Sequence, residues 1–140
     1  MQEQFLPRIS VITPAYNASE YLSELLVSVA NQDYPNVEHI VINDGSNDNG
    51  KTENILINAK NIIWWNQPNE GQYATINNGI KKASGDYIII ISADDYFASP
   101  YVFSNIVKQC NGILYDVVYG YHTVVNSSGL LLPNQVKPIR

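Results

Sequence analysis

The stretch GDYIIIISADD, residues 85–95, decides the fold of this chain. Four consecutive isoleucines lead, through Ser92 and Ala93, to two adjacent carboxylates, Asp94 and Asp95. A short run of β-branched residues between turn-forming residues predicts a strand that is buried on both faces, as in the centre of a parallel sheet. Because ligands of open α/β sheets bind outside the carboxyl ends of the strands, Asp94 and Asp95 are candidates for binding a divalent cation.

The segments on either side of this stretch alternate between strand and helix patterns. Pro14 cannot continue a central ladder, so we expect the first strand to end near Thr13. The alternation implies right-handed crossovers and a three-layer α/β/α architecture around a mainly parallel sheet. The remaining predicted strands are 37–42, 61–65 and 116–125, with a turn at 126–129, and the predicted helices are 21–29, 52–60, 73–83 and 99–110.

Composition limits the classes of function. The chain has 140 residues, is 45% hydrophobic and 15% charged, and carries a net charge of -5, which indicates one globular domain. The acidic balance and the lack of a basic cluster argue against nucleic-acid binding. The single cysteine, Cys110, excludes an internal disulfide and a cysteine zinc site. No run approaches the ~18 apolar residues of a transmembrane segment, so we expect a cytoplasmic protein, with association to a membrane left open.

Three strand ends are expected at one edge of the sheet, namely residues 13–17, 43–46 and 94–95. A crevice with carboxylates and no clustered bases can hold an anionic ligand only through a bridging cation, and Mg²⁺ or Mn²⁺ commonly binds one or two carboxylates plus ligand phosphates. A nucleotide diphosphate meets this requirement. Asp44 offers only acceptors, which suit a ligand N–H or hydroxyl, and Tyr16 offers a flat face for a base.

In this order, seven short segments resemble the donor half of a family 2 glycosyltransferase of the GT-A fold: PAYN (14–17), QDYPNVE (32–38), DGSND (44–48), NEG (69–71), NNGI (77–80), ASGDY (83–87) and the acidic pair 94–95. The resemblance covers residues 8–121. It implies one partial GT-A domain over residues 1–140 with a Rossmann-like sheet. Residues 133–140 would then be a loop or the start of a missing acceptor half.

The resemblance also implies an activity and a set of site residues. The activity is an inverting transfer of a sugar from a nucleotide diphosphate, commonly a UDP-sugar, to a carbohydrate or lipid-linked acceptor hydroxyl, in polysaccharide or cell-envelope glycan synthesis. Mn²⁺ or Mg²⁺ would be the cofactor. The implied donor-nucleotide residues are Thr13, Pro14, Tyr16, Asp44, Ser46 and Asp94, with Pro14 shaping the first loop, and the implied metal ligand is Asp95.

This sequence departs from the family pattern in two respects. Ser92 and Asn43 stand where the family usually has aspartate, so metal affinity could be lower. The general base that takes the proton from the acceptor hydroxyl is expected beyond Arg140. Donor binding is therefore expected of this chain alone, whereas efficient transfer is not, because a weakly acidic hydroxyl needs a positioned proton acceptor.

Two other functions fit parts of the sequence. Residues 45–52, GSNDNGKT, satisfy the pattern of a phosphate-binding P-loop and would make the chain a nucleoside triphosphatase, although Asp44 and Asp48 would then place negative charge beside a triphosphate. A non-catalytic nucleotide-binding module is the third interpretation. His39 is expected to be an interior residue of the second strand, and His122 is not expected to be a ligand.

Overall fold

The computed structural model of the chain describes residues 6–132. It has four strands and four helices in strict alternation, and every neighbouring pair of strands runs parallel, in the order β3-β2-β1-β4. The predicted α/β class with a parallel sheet is confirmed. The elements are β1 (Ile9–Ala15), α1 (Leu22–Ala30), β2 (Val37–Asp44), α2 (Lys51–Asn58), β3 (Ile63–Gln67), α3 (Gln72–Lys82), β4 (Tyr87–Ile90) and α4 (Val102–Cys110).

The core lies on both faces of β1 and β2, the two central strands. On one face, buried residues of these strands pack with Leu25 of α1, Leu56 of α2 and Phe103 of α4. The other face is covered by α3, which approaches so closely that a Cβ on Gly79 would lie 2.6 Å from Cγ2 of Ile12. The sheet therefore forms the middle of three layers, as predicted.

β4 differs from its prediction as a central strand buried on both faces. Among the described residues it is an edge strand, paired only with β1. Ile88 and Ile90 are 42% and 50% exposed, whereas Ile89 packs into the core with α1 and α4. The difference arises because α3 packs against β1 and β2 and leaves this face of β4 open.

Pro14 does not end β1, which continues to Ala15. The carbonyl of Ile12 accepts a hydrogen bond from Ile91, so the even-numbered residues of β1 direct their backbone groups toward β4. β4 ends at Ile90, opposite Ile12, and therefore offers no acceptor that an N–H at position 14 would need. The absence of a backbone N–H on Pro14 therefore removes no hydrogen bond between β1 and β4.

The prediction of a strand at residues 116–125 is wrong. These residues form no regular strand, and an isolated antiparallel bridge joins Val125 to Leu131 across the turn. Tyr119 and Tyr121 are 77% and 76% exposed. Alternating apolar residues stabilise a strand only where one face is buried, and here residues 116–123 are all exposed, while Val124 and Val125 are half-buried. The prediction for residues 133–140 lies outside the described residues.

At the amino ends of the strands, Glu38 connects three elements. Its carboxylate accepts hydrogen bonds from Oγ of Ser10 at 2.5 Å and from the backbone N–H of Ser84 at 2.6 Å, and it pairs with Arg8 at 3.2 Å. Burial acts to raise the pKa of Glu38, but these partners together lower it below its usual value. The cluster fixes β1, β2 and the start of β4 at the edge opposite the candidate site.

Within residues 6–132, no helix combines the length and the apolar character required to cross a bilayer.

Candidate functional site

A cavity of about 590 Å³ lies at the carboxyl ends of the strands. This volume is typical of a small-molecule site. The last residue of β2 and the segments that follow β1, β3 and β4 all contribute to its walls, so the expected convergence of strand ends at one edge is present. The lining residues are 14–18, 21, 44, 69, 71, 72 and 92–94.

The predicted site residues divide into two groups. Pro14, Tyr16, Asp44 and Asp94 line the cavity, and the ring of Tyr16 is 49% exposed at its rim. Thr13, Ser46 and Asp95 are not among the lining residues. Each of these three lies next to, or within two positions of, a residue that does line the cavity.

Thr13 is fully buried, and its Oγ1 lies 3.0 Å from Nε2 of His39. The two side chains share the sheet face that α1 covers, because odd-numbered residues of β1 and β2 point to that side. The assigned contact between Thr13 and a nucleotide stays a prediction. The side chain of Thr13 forms its hydrogen bond with His39 on the sheet face covered by α1.

The pH dependence of stability should report this buried histidine. Burial lowers the pKa of His39 from 6.5 to about 4. Between these values the unfolded chain binds more protons, so the free energy of unfolding falls as pH decreases, by an amount on the order of 3 kcal/mol in total. Urea unfolding at pH 7 and pH 4.5 should show a smaller pH-dependent loss in His39→Gln than in the wild type. An equal pH-dependent loss in His39→Gln and in the wild type would show that His39 does not account for it.

Asp44 is 3% exposed and anchors the loop after β3. Its Oδ1 accepts hydrogen bonds from Nε2 of Gln67 at 2.8 Å and from the backbone N–H of Glu70 at 2.9 Å, and its Oδ2 accepts one from the N–H of Gly71 at 3.0 Å. Burial acts to raise the pKa of Asp44, but these hydrogen bonds together lower it below its usual value. The group is therefore an ionised carboxylate at neutral pH, and it shapes the wall of the cavity.

Gly45 allows this loop to lie against the end of β2. Its φ is +69°, a conformation that glycine adopts readily, and a Cβ at this position would lie 2.6 Å from the backbone N of Asn69. Asn69 in turn donates a hydrogen bond from Nδ2 to the carbonyl of Asp44 at 3.0 Å. A side chain at position 45 would push the loop away from the cavity.

Gly45→Ala should lower the free energy of unfolding by about 2–3 kcal/mol, because the positive φ costs roughly 1 kcal/mol and the backbone collision adds to it. Gly50→Ala is the matched control, since Gly50 has a φ of +76° and nothing within 4 Å of its Cβ position. Urea unfolding of both variants separates the two contributions. Equal losses would show that the contact with Asn69 carries no energy.

Ser46 links two loops at the rim of the cavity. Its Oγ accepts a hydrogen bond from the N–H of Asn17 at 3.0 Å and donates to Oδ1 of Asn43. Asn17 and Asn47 exchange two further hydrogen bonds, at 2.7 and 2.8 Å. Asn43, where the resemblance leads one to expect aspartate, thus supports the Tyr16 loop through a neutral hydrogen bond. Ser46 orients this loop, and its contact with a nucleotide stays a prediction.

The acidic pair follows β4 in a tight turn, in which the N–H of Asp95 donates to the carbonyl of Ser92 at 3.1 Å. Partial burial and the neighbouring charge of Asp94 raise the pKa of Asp95, although His122 acts in the opposite direction. No cluster of three or more His, Cys, Asp or Glu side chains suited to a metal ion occurs among residues 6–132. Two adjacent carboxylates at an open cavity nevertheless fit Mg²⁺ or Mn²⁺ when ligand phosphates complete the coordination.

The geometry of residues 45–52 does not support a P-loop. The carboxylate of Asp48 accepts hydrogen bonds from the backbone N–H of Thr52 at 3.1 Å and from its Oγ1 at 2.7 Å. Thr52 is fully buried and also accepts a hydrogen bond from the N–H of Ala18. A P-loop needs free N–H groups and a free hydroxyl for phosphate and Mg²⁺, and here an internal carboxylate occupies that end of α2.

Sequence reasoning did not assign site roles to several residues of the cavity wall. Asn69, Gly71 and Gln72 line the cavity, and Gln67 donates a hydrogen bond to the carboxylate of Asp44. A signal was available, because the segment after β3 starts at the same sheet edge as the other three strand ends.

Comparisons with known proteins agree with this geometry. A family model described as glycosyl transferase family 2 matches residues 10–136. An uncharacterized glycosyltransferase of Haemophilus influenzae is 35% identical, over 94% of this chain and 52% of its own length. This chain spans 19% to 52% of the lengths of the first three curated relatives it matches.

Two solved structures resemble the chain. Residues 1–349 of TarS from S. aureus, crystallised with UDP-GlcNAc, match with a TM-score of 0.58 and 34% identity, over 64% of this chain and 27% of that one. The mannosyltransferase PcManGT from Pyrobaculum calidifontis, in complex with GDP-Man and Mn²⁺, matches with a TM-score of 0.63 over 76% of this chain and 33% of that one. At 23% identity, the second likeness concerns the fold alone.

Proposed function

The chain belongs to glycosyl transferase family 2, and on this basis we propose that it is the donor-binding part of an enzyme that transfers a sugar from a nucleotide diphosphate, by preference a UDP-sugar, to an acceptor hydroxyl with inversion. The observation that carries the proposal is the cavity with Tyr16, Asp44 and Asp94 on its walls. Carbohydrate or lipid-linked acceptors, a role in cell-envelope glycan synthesis and a cytoplasmic location belong to the same proposal.

In this proposal the nucleoside binds between Tyr16 and Asp44. The exposed ring of Tyr16 offers a stacking surface for the base. The carboxylate of Asp44 accepts hydrogen bonds from Gln67, Glu70 and Gly71, and the hydroxyl of Thr75 also acts to lower its pKa. Because an ionised carboxylate offers only acceptors, it suits an N–H or hydroxyl of a base or ribose and repels a phosphate.

Asp95 and Asp94 would hold the divalent cation. When bound, Mn²⁺ or Mg²⁺ supplies positive charge that stabilises the diphosphate leaving group. The chain has no basic cluster at this cavity, whose charged lining residues are Asp44 and Asp94, so the diphosphate depends on the cation for compensation. No residue of the cavity is assigned the role of taking the proton from the acceptor hydroxyl, so the proposal for these residues is donor binding.

Isothermal titration calorimetry tests the proposal. We expect UDP to bind in the presence of Mn²⁺, at least tenfold more weakly when EDTA replaces the metal, and ATP to bind more weakly than UDP. Lys51→Ala should leave UDP binding unchanged, because Lys51 is exposed and lines no part of the cavity. Preference for ATP with loss in Lys51→Ala would favour the triphosphatase, and indifference to all nucleotides would refute donor binding.

A further inference from the structure

A second cavity, of about 670 Å³, lies on the face of the sheet between α1 and α2. It shares no lining residue with the cavity at the strand ends. Its volume is within the range of small-molecule sites. Apolar side chains from both helices and from the sheet contribute to its lining, among them Leu26, Val29, Val37, Ile55 and Ile62.

His39 is a buried polar residue of the cavity wall, next to these apolar side chains. It lies on β2, is 4% exposed and lines the cavity. Nε2 contacts Oγ1 of Thr13, whereas Nδ1 makes no hydrogen bond within residues 6–132. No fully buried side-chain nitrogen or oxygen in those residues lacks a partner. Nδ1 is therefore not sealed inside the protein, and the cavity is the surface that it reaches.

This arrangement selects for a ligand of a particular chemistry. A polar atom in apolar surroundings is costly unless it meets a hydrogen-bond partner. Burial lowers the pKa of His39 to about 4, so the imidazole is neutral at pH 7 and cannot balance a charged ligand. Seven further polar residues line the cavity, and Lys60 is the one that carries a charge: Ser23, Gln32, Tyr34, Asn54, Asn58, Lys60 and Asn61.

We propose that the cavity between α1 and α2 binds a small uncharged molecule that has an apolar ring or chain and one hydrogen-bonding group, which contacts Nδ1 of His39. The site is independent of the donor nucleotide. Burial of the apolar part supplies most of the affinity, and the hydrogen bond to Nδ1 of His39 favours ligands that carry an N–H or O–H group.

Indole and indene are suitable probes, since they have nearly the same shape and only indole carries an N–H group. Titrations of the full ¹⁵N-labelled chain at pH 7 should show indole-dependent shifts of the amides of Leu26, Val37 and Ile55. Indene should bind about fivefold more weakly, because one neutral hydrogen bond is lost. Equal affinities would overturn the role of His39. Absence of saturable shifts up to the solubility limit of indole would overturn the site.

Two kinds of variant locate the binding. Ala30 is an exposed residue of α1 that lines the cavity, so Ala30→Phe should weaken indole binding at least tenfold. Ala98→Phe, at an exposed position outside both cavities, is the matched control and should bind indole normally. His39→Leu should bind indole and indene equally. If His39→Leu fails to fold, Ala30→Phe still tests the location of the site. Normal indole binding in Ala30→Phe would exclude this cavity.

Discussion

Asp95→Ala should remove the Mn²⁺-dependent part of UDP binding while the chain stays folded. Asp95 is exposed, so its loss leaves no cavity in the core. Its carboxylate is partly desolvated and stands beside the charge of Asp94, an arrangement that a divalent cation relieves. Loss of an outer partner of a metal site typically costs 10–100-fold in affinity, and loss of a direct ligand should cost at least as much, about 2.7 kcal/mol for a hundredfold change.

Calorimetric titration with UDP at fixed Mn²⁺ measures this effect. Asp33→Ala is the control, because it removes the same charge from an exposed position after α1 that lines no cavity. Binding in Asp95→Ala should match that of the wild type in EDTA, so that the metal and the carboxylate account for the same free energy. A weakening that persists unchanged in EDTA would mean that Asp95 contacts the nucleotide directly or supports the loop.

The fold could be predicted because burial is encoded in short patterns. Short β-branched runs predicted β1, β2 and β3, and apolar residues at helical spacing predicted the helices between them. The position of β4 could not be predicted in the same way. A run of four isoleucines indicates that a strand can be buried on both faces. Which faces are covered depends on where α3 packs, and Ile88 and Ile90 remain exposed.

The candidate site could be predicted at the level of loops and less well at the level of side chains. Tyr16, Asp44 and Asp94 line the cavity as expected, since each follows a strand end. Thr13 does not, because Pro14 lies inside β1 and the strand therefore ends two residues later than predicted. Side chains alternate between sheet faces, so Thr13 points toward His39 and α1 rather than into the cavity.

The roles of Asp44 illustrate what sequence alone leaves out. A lone aspartate in a turn predicts local hydrogen bonds or a ligand contact, and here a network across the chain determines its orientation. Gln67 donates from Nε2 to Asp44 and accepts at Oε1 from Asn78, whose Nδ2 also donates to Glu70 at 2.9 Å. Since Glu70 in turn donates its N–H to Asp44, the contacts close a ring through β2, β3, α3 and the loop between the last two.

Asp44→Asn should therefore weaken UDP binding at least tenfold and lower the free energy of unfolding by roughly 1–3 kcal/mol. Asparagine keeps one oxygen, but its NH₂ group must face either the N–H of Gly71 or the donors of Gln67 and Glu70, so the loop loses an acceptor and gains a donor conflict. The negative charge that would accept a ligand N–H is also lost.

Asp48→Asn separates these two consequences. Asp48 likewise accepts hydrogen bonds from a backbone N–H and from a side chain, both of Thr52, but it does not line the cavity. Both variants should unfold at lower urea concentration than the wild type, because each weakens a hydrogen-bonded connection between elements. Only Asp44→Asn should lose UDP affinity, when binding is measured under conditions in which both variants are fully folded. Equal UDP affinities in the two variants would reduce Asp44 to a residue that stabilises a loop and would leave the nucleoside without its polar partner.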